Sequence, residues 1–278
     1  MTGAVTYQIL SDAPDPELID RCRRIPVEKR PSCLVFLNAD DSHYYNGRLS
    51  NELYSVRFGR QTPMLIHRIA DFLRYETKLG RSTLIYSEHR CDIEAMIRQA
   101  IAVTPDPSLR REYDPSVLVH STTDDRLQCI RSSGAILPSS MLRQSQHTMR
   151  LVGFEDLGEP PEYIDFVHFA ELGSATGEVI VLSHRDGRIN TDFDTEYTPG
   201  ARIYLSFDSL LADGKLWRDG LHVVKALGPV ALARYSIETI TWRDFPNSAT
   251  PWTPRSFATA ADTEFVLRHP ELGREGSA

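Results

Sequence analysis

A chain of 278 residues with 41% hydrophobic and 25% charged side chains has room for one large domain or two smaller ones with a real core. Its formal net charge of -7 excludes a general nucleic-acid coat, which needs a positive field, although a local basic patch can still hold a phosphorylated substrate. The four cysteines, Cys22, Cys33, Cys91 and Cys129, form no CxxC pair, so a zinc site or a disulfide framework is disfavoured and reduced thiols are expected. Residues 1–10 lack the basic start and apolar run of a signal peptide, and no stretch approaches the ~20 apolar residues of a membrane span. These features point to a cytoplasmic or nuclear protein with no membrane partner.

In chain order, Pro16 to Ile25 reads as a short helix and Cys33 to Leu37 as an apolar strand, with a polar, turn-rich stretch from Asn38 to Gly47. A long helix is predicted from Thr62, with Thr62 as its cap and Pro63 in the first position. Leu65, Ile66, Ile69, Phe72 and Leu73 share its apolar face, and Gly80 ends it. A strand over Ser82 to Tyr86 and a helix over Asp92 to Ala102 follow. The stretch from Val103 to Pro115, with Pro105, Pro107 and Pro115, reads as a linker between lobes. Beyond it, Val117 to Val119 is a buried strand, Thr122 or Thr123 caps a helix through Ile130, and Gly134 closes that helix. Ser139 to Pro161 reads as a long irregular loop. Strands are predicted at Phe166 to Ala170, Glu178 to Ser183, Arg202 to Phe207, Leu221 to Lys225 and Ile237 to Trp242, a spacing that suggests a small twisted β-core. The expected organisation is an N-terminal lobe over 1–113, a second lobe over 114–245 and a peripheral tail over 246–278 with one short helix near Asp262 to Arg268.

Three stretches carry candidate chemistry. His120 closes the strand Val117 to Val119 and is followed by Ser121, Thr122 and Thr123, so its imidazole either bonds a ligand hydroxyl or merely caps the next turn. His168 shares one face of its strand with Phe166, and either contacts a substrate or is a half-exposed strand histidine. Arg218 lies between the turns Asp213-Gly214 and Asp219-Gly220, and offers a planar fork for phosphate or a solvated surface charge. There is no GxSxG elbow, P-loop or HExxH, and Gly173-x-x-x-Gly177 does not follow a strand as a dinucleotide-binding turn would.

Taken together, His120-Ser121-Thr122, Val167-His168-Phe169-Ala170, Ala212-Asp213-Gly214, Trp217-Arg218 and Asp219-Gly220-Leu221 follow the order of motifs in a known family. The chain resembles the tRNA 2′-phosphotransferase branch of the ADP-ribosyltransferase superfamily over about 125 residues, from Val117 to Trp242. Two family positions differ. Ile164 stands where the family has a catalytic arginine before its histidine strand, and Tyr75 replaces the histidine of an Arg-His pair, leaving Arg74 as the matching arginine. The late Glu-x-Glu or Gln-x-Glu pair of other branches is absent, and Glu196 and Glu238 are isolated.

The resemblance implies an α+β fold: an ADP-ribosyltransferase-like twisted antiparallel β-core lobe preceded by a mixed α/β lobe. It implies an NAD-dependent transferase acting on a phosphorylated RNA or protein acceptor. His120 would bond a ribose hydroxyl, the backbone around Ser121 and Thr122 would hold the nicotinamide amide, and His168 would line the cofactor. Tyr204 would stack on the nicotinamide unless it is a core strand tyrosine. Arg218 would grip a phosphate, and Arg74 would face the cleft unless it is a surface helix charge. A phosphate acceptor is already a nucleophile and needs no general base, which suits a site without the late glutamate. Two alternatives remain open: an ADP-ribosyltransferase or NAD glycohydrolase of toxin or defence type, and a module that binds NAD without turnover.

Overall fold

A computed structural model describes residues 4–38, 44–49, 53–88, 93–145, 158–246 and 251–273. The protein is mixed α/β with several sheets, one of them largely parallel, and divides into two compact units. The first comprises Met1–Pro107, Gly153–Tyr163 and Trp217–Leu221; the second comprises Ser108–Val152, Ile164–Leu216 and His222–Ala278. The boundary expected near residue 113 therefore falls close to the first crossing, but the chain returns to the first unit twice more. Among the described residues no helix is long and apolar enough to cross a membrane.

The first unit contains β1 (Tyr7–Ile9), α1 (Pro16–Arg23), β2 (Ser32–Phe36), β3 (Tyr44–Leu49), β4 (Leu53–Phe58), α2 (Leu65–Lys78), β5 (Thr83–Ser87) and α3 (Ile93–Val103). Its sheet runs β1-β5-β2-β4-β3, parallel through the first four strands with β3 antiparallel at the edge. The expected turn over Tyr44 to Gly47 is thus part of an edge strand, while 39–43 lies outside the described residues. All five residues of β2 are buried, as a strand covered on both faces requires. Cys33 and Val35 pack with Ile19 and Cys22 of α1, whereas Leu34 and Phe36 pack with Ile69, Phe72 and Leu73 of α2 and Ile97 of α3. The period of two along β2 sends alternate side chains to the two helical layers.

Helix α2 begins two residues later than predicted. Thr62 Oγ1 donates to the Gly59 carbonyl at 2.9 Å and so closes the preceding turn, and Met64 caps the helix in the left-handed region with φ 54°. Its end is as expected, with Gly80 at φ +73° and hydrogen bonds from Gly80 N to Thr77 O and from Arg81 N to Glu76 O, both 2.9 Å. That tight turn places Arg81 over Glu76. Both are buried, and the guanidinium holds both Glu76 oxygens at 2.7 Å and Glu162 Oε1 at 2.7 Å. Ser32 Oγ donates to Glu76 Oε2 at 2.5 Å and Tyr75 Oη to Glu162 Oε1 at 3.2 Å. The segment 217–221 is pinned in the same unit. Tyr163 Oη donates to Asp219 Oδ2 at 3.1 Å, and a Cβ on Gly220 would lie 2.1 Å from Arg68 O.

The second unit contains β6 (Val117–Thr122), α4 (Asp124–Ser133), β7 (Ala135–Ile136), α5 (Ser139–Ser145), β8 (Phe166–His168), β9 (Ala170–Glu171) and α6 (Thr176–Asp186). It continues with β10 (Ala201–Ser206), α7 (Phe207–Ala212), β11 (Leu216–Trp217), β12 (Lys225–Leu227), β13 (Val230–Ala231), α8 (Leu232–Tyr235), β14 (Ser236–Thr241) and α9 (Pro254–Arg268). An antiparallel sheet, β14-β10-β6-β9, faces a three-stranded sheet, β11-β12-β8, across a core of Leu118, Val167, Phe169, Ile203, Leu205, Val224 and Ala226. Its other face, with Val117, Val119, Tyr204 and Ile240, is covered by Val181 and Leu182 of α6 and Phe257, Ala261 and Phe265 of α9.

Three expectations are corrected here. Glu178 to Ser183 is helical, not extended. Its β-branched run mimics a strand, but Val179, Val181 and Leu182 are buried while Ile180 is exposed, so one helix face meets the sheet. The strand expected over Leu221 to Lys225 begins only at Lys225, because Leu221 is part of the first unit's core. The supposed peripheral tail supplies α9, a full layer of the second core; its helix starts at Pro254 rather than near Asp262. The irregular stretch from Ser139 opens with α5, and 146–157 lies outside the described residues.

Candidate functional site

The second unit places His120 near the carboxyl end of β6, opposite Ile203 of β10. Alternation puts His120 on the same face as Leu118, toward the inter-sheet core, and Ser121 on the face covered by α6 and α9. The strand hands directly into α4. Thr123 caps that helix, accepting from Arg126 N at 3.4 Å, and Gly134 ends it at φ 71°, as the sequence predicts. Two glycines pack closely on the motif: a Cβ on Gly177 would lie 2.5 Å from the Ser121 side-chain Oγ, and one on Gly200 would lie 2.2 Å from the Thr122 backbone O. Thr122 itself is buried.

His120 and His168 are brought together. Nδ1 of His120 lies 3.4 Å from the His168 carbonyl oxygen, which can only accept, so Nδ1 carries the proton and Nε2 keeps its lone pair. Burial is the main force lowering the His120 pKa, the bond to the His168 carbonyl opposes it and the nearby Arg126 guanidinium adds to it, for a net value of about 4. The imidazole is therefore neutral at pH 7, an acceptor held in one orientation. The His168 ring meets His222 edge to face, with centroids 4.7 Å apart. Across the β8–β12 pairing Lys225 stands opposite His168, fully buried, with Nζ 4.6 Å from the centre of the Phe166 ring.

The remaining expected residues have structural partners of their own. Tyr204 is fully buried, its ring stacked on Phe265 at 4.1 Å and its hydroxyl donating to Asp262 Oδ1 at 2.8 Å, so it is a core tyrosine and offers no face to a nicotinamide. Arg74 belongs to the first unit and donates to the carbonyls of Ile101 at 3.0 Å, Thr104 at 2.9 Å and Pro105 at 2.7 Å. It satisfies the open end of α3. Arg218 also belongs to the first unit, where it is buried with Nε donating to the Pro107 carbonyl at 3.1 Å. Ile164 lies in a short 3-10 turn ahead of β8.

Two residues beside the histidines were missed in the sequence. Arg126, on the exposed side of α4, acts on His120 through its charge; only its place in the turn after the Thr123 cap could have marked it. His222 could have been found only by knowing that β12 pairs with β8. Among the described residues no group of three or more His, Cys, Asp or Glu side chains is placed to hold a metal ion. Two clefts, near Arg81 and Pro160 and near Asp12 and Asp15, belong to the first unit and involve none of the expected site residues. No family model, curated protein or solved structure matches this chain.

The neutral His120 has a consequence for pH dependence. Its folded pKa lies below the unfolded value, so the unfolded chain takes up a proton first as pH falls. The stability it allows is fully present above about pH 6.5 and declines as pH falls toward 4. Urea unfolding at pH 7 and pH 5 is expected to show a larger loss for the wild-type protein than for His120→Gln. Equal losses would mean that the imidazole is not held neutral.

Proposed function

We propose that the second unit is the NAD-binding half of an NAD-dependent transferase of the ADP-ribosyltransferase type, acting on a phosphorylated acceptor. The observation that carries this reading is the 3.4 Å contact of His120 Nδ1 with the His168 carbonyl, which leaves Nε2 of a neutral imidazole to accept from a ribose hydroxyl. The two facing antiparallel sheets, with the His120-Ser121-Thr122 strand central in one and His168 in the other, support the same reading. Arg126 supplies a positive charge on the same unit for the phosphates of such a ligand. Cleavage of the nicotinamide bond leaves an oxocarbenium-like centre, and a phosphate acceptor positioned on its opposite face attacks without a general base.

A second reading, an NAD-binding module without turnover, draws on the engagement of Arg74 in capping α3, the burial of Tyr204 and the isoleucine at 164. Calorimetry with NAD and measurement of nicotinamide release, with and without 2′-phosphorylated RNA, separate the two. The transferase reading expects NAD binding, RNA-dependent nicotinamide release with loss of the 2′-phosphate, and at least a tenfold weaker affinity in His120→Ala, the loss of a hydrogen bond worth about 1.4 kcal/mol. Binding without release selects the module. Nicotinamide release without RNA points to the toxin or defence type, and absence of NAD binding sinks both readings.

A further inference from the structure

The face of β6 opposite His120 rests on a buried charge network that the proposed chemistry does not use. Arg202, directly opposite Ser121 in the β6–β10 pairing, is fully buried. Its Nε and Nη2 donate to Asp262 Oδ1 and Oδ2 at 3.0 Å each, its Nη1 to Glu178 Oε1 at 3.2 Å, and its Nη2 to the Ser174 carbonyl at 3.1 Å. Glu178 also accepts from Tyr197 Oη at 2.6 Å, and Asp262 from Gly173 N at 2.8 Å and Tyr204 Oη at 2.8 Å. Burial raises the Glu178 carboxyl pKa against the pull of Arg202, and the Ser121 hydroxyl is among the groups opposing that rise. One arginine thus ties β10 to the Ser174 carbonyl ahead of α6, to Glu178 in its first turn and to Asp262 of α9. The first turn of α6 brings Gly177 against the Ser121 side chain, where a Cβ would lie 2.5 Å from Oγ.

Burying three charges behind a strand is an expensive way to hold a core, since well-packed apolar residues of the same size do so as well or better. It does fix geometry, because a two-pronged arginine–carboxylate pair tolerates little displacement. We propose that Arg202, Asp262 and Glu178 are positioning residues for the NAD site: they seat the start of α6 against the Ser121 side chain and, with Arg202 paired to Ser121 across the β6–β10 ladder, fix that residue where the proposed site would hold the nicotinamide amide. The proposal rests on the NAD reading of His120, and it makes α9, through Asp262, a working part of the site.

The test compares wild-type protein with Asp262→Asn, which keeps the side-chain shape and removes the charge, and with the milder Tyr197→Phe in case the first variant does not fold. Amide hydrogen exchange and NAD calorimetry are measured on each. The expected result is a cooperatively folding variant in which exchange at Ser121, Thr122 and residues 173–177 rises at least tenfold more than at the amides of β14, with NAD affinity weakened at least tenfold. A uniform rise across β6, β10 and β14 with NAD affinity within twofold of wild type marks a purely stabilising network and overturns the proposal. If wild-type protein binds no NAD, the proposed function fails on its own account. The proposal then fails as a statement about NAD, while local rather than uniform exchange still identifies the network as setting the Ser121 backbone.

Discussion

Glu76→Ala is expected to destabilise the first unit by about 3–5 kcal/mol, enough to threaten a fold whose whole stability is of that order or a few times larger. The glutamate is fully buried and Arg81 almost so, and the guanidinium spends two of its hydrogen bonds on the Glu76 carboxylate. Removing the carboxylate strands a desolvated cation with Glu162 as its remaining named acid, and leaves the Ser32 hydroxyl without its acceptor. The pair Glu76→Met with Arg81→Met should lose less than Glu76→Ala alone, because the cost lies in the orphaned charge rather than in lost attraction. Urea denaturation of the three proteins decides the matter. A loss below about 1 kcal/mol in Glu76→Ala would place the pair among ordinary surface bridges.

Phe265→Ala should cost the second unit about 3–5 kcal/mol, the usual range for deleting a fully buried aromatic ring. Phe265 is 0% exposed, and its ring lies on Tyr204 with centroids 4.1 Å apart and planes 10° from parallel. The variant loses the transfer free energy of the ring, the stacking contact and the packing of Val117, Val119 and Ile240 beneath it. Thermal or urea unfolding checks this directly. A small effect would return α9 to the peripheral status that its Pro-, Ser- and Thr-rich surroundings suggest.

Much of the local structure was legible because it rests on short-range rules. Thr123 and Gly134 bracket α4, Gly80 ends α2, and β10 and β14 fall within the strands expected over Arg202 to Phe207 and Ile237 to Trp242, to within a residue. What failed was decided by packing between distant segments. Glu178 to Ser183 has the composition of a strand, and only its place beneath Val119 and Tyr204 makes it a helix. Tyr204 reads equally well as a ligand face or a core ring until Phe265, sixty-one positions later, is known to lie on it. Arg74 looks like a catalytic remnant until α3 is seen to end against it. The contact between His120 and the His168 carbonyl was reachable from motif order, whereas Arg126, His222 and the acids around Arg202 carry no local signature.

Each unit is assembled from three separate stretches of chain, and this governs how the protein can be made and dissected. A fragment cut at the linker near residue 107 would have Arg81 facing a missing Glu162, Tyr75 without its acid and an α2 flank stripped of Leu221. During translation the first unit cannot be completed until residue 221 has left the ribosome, so Arg81 waits for Glu162 and the α2 flank for Leu221 while most of the second unit is synthesised. Expression trials of the N-terminal piece alone should therefore yield aggregates rather than a domain.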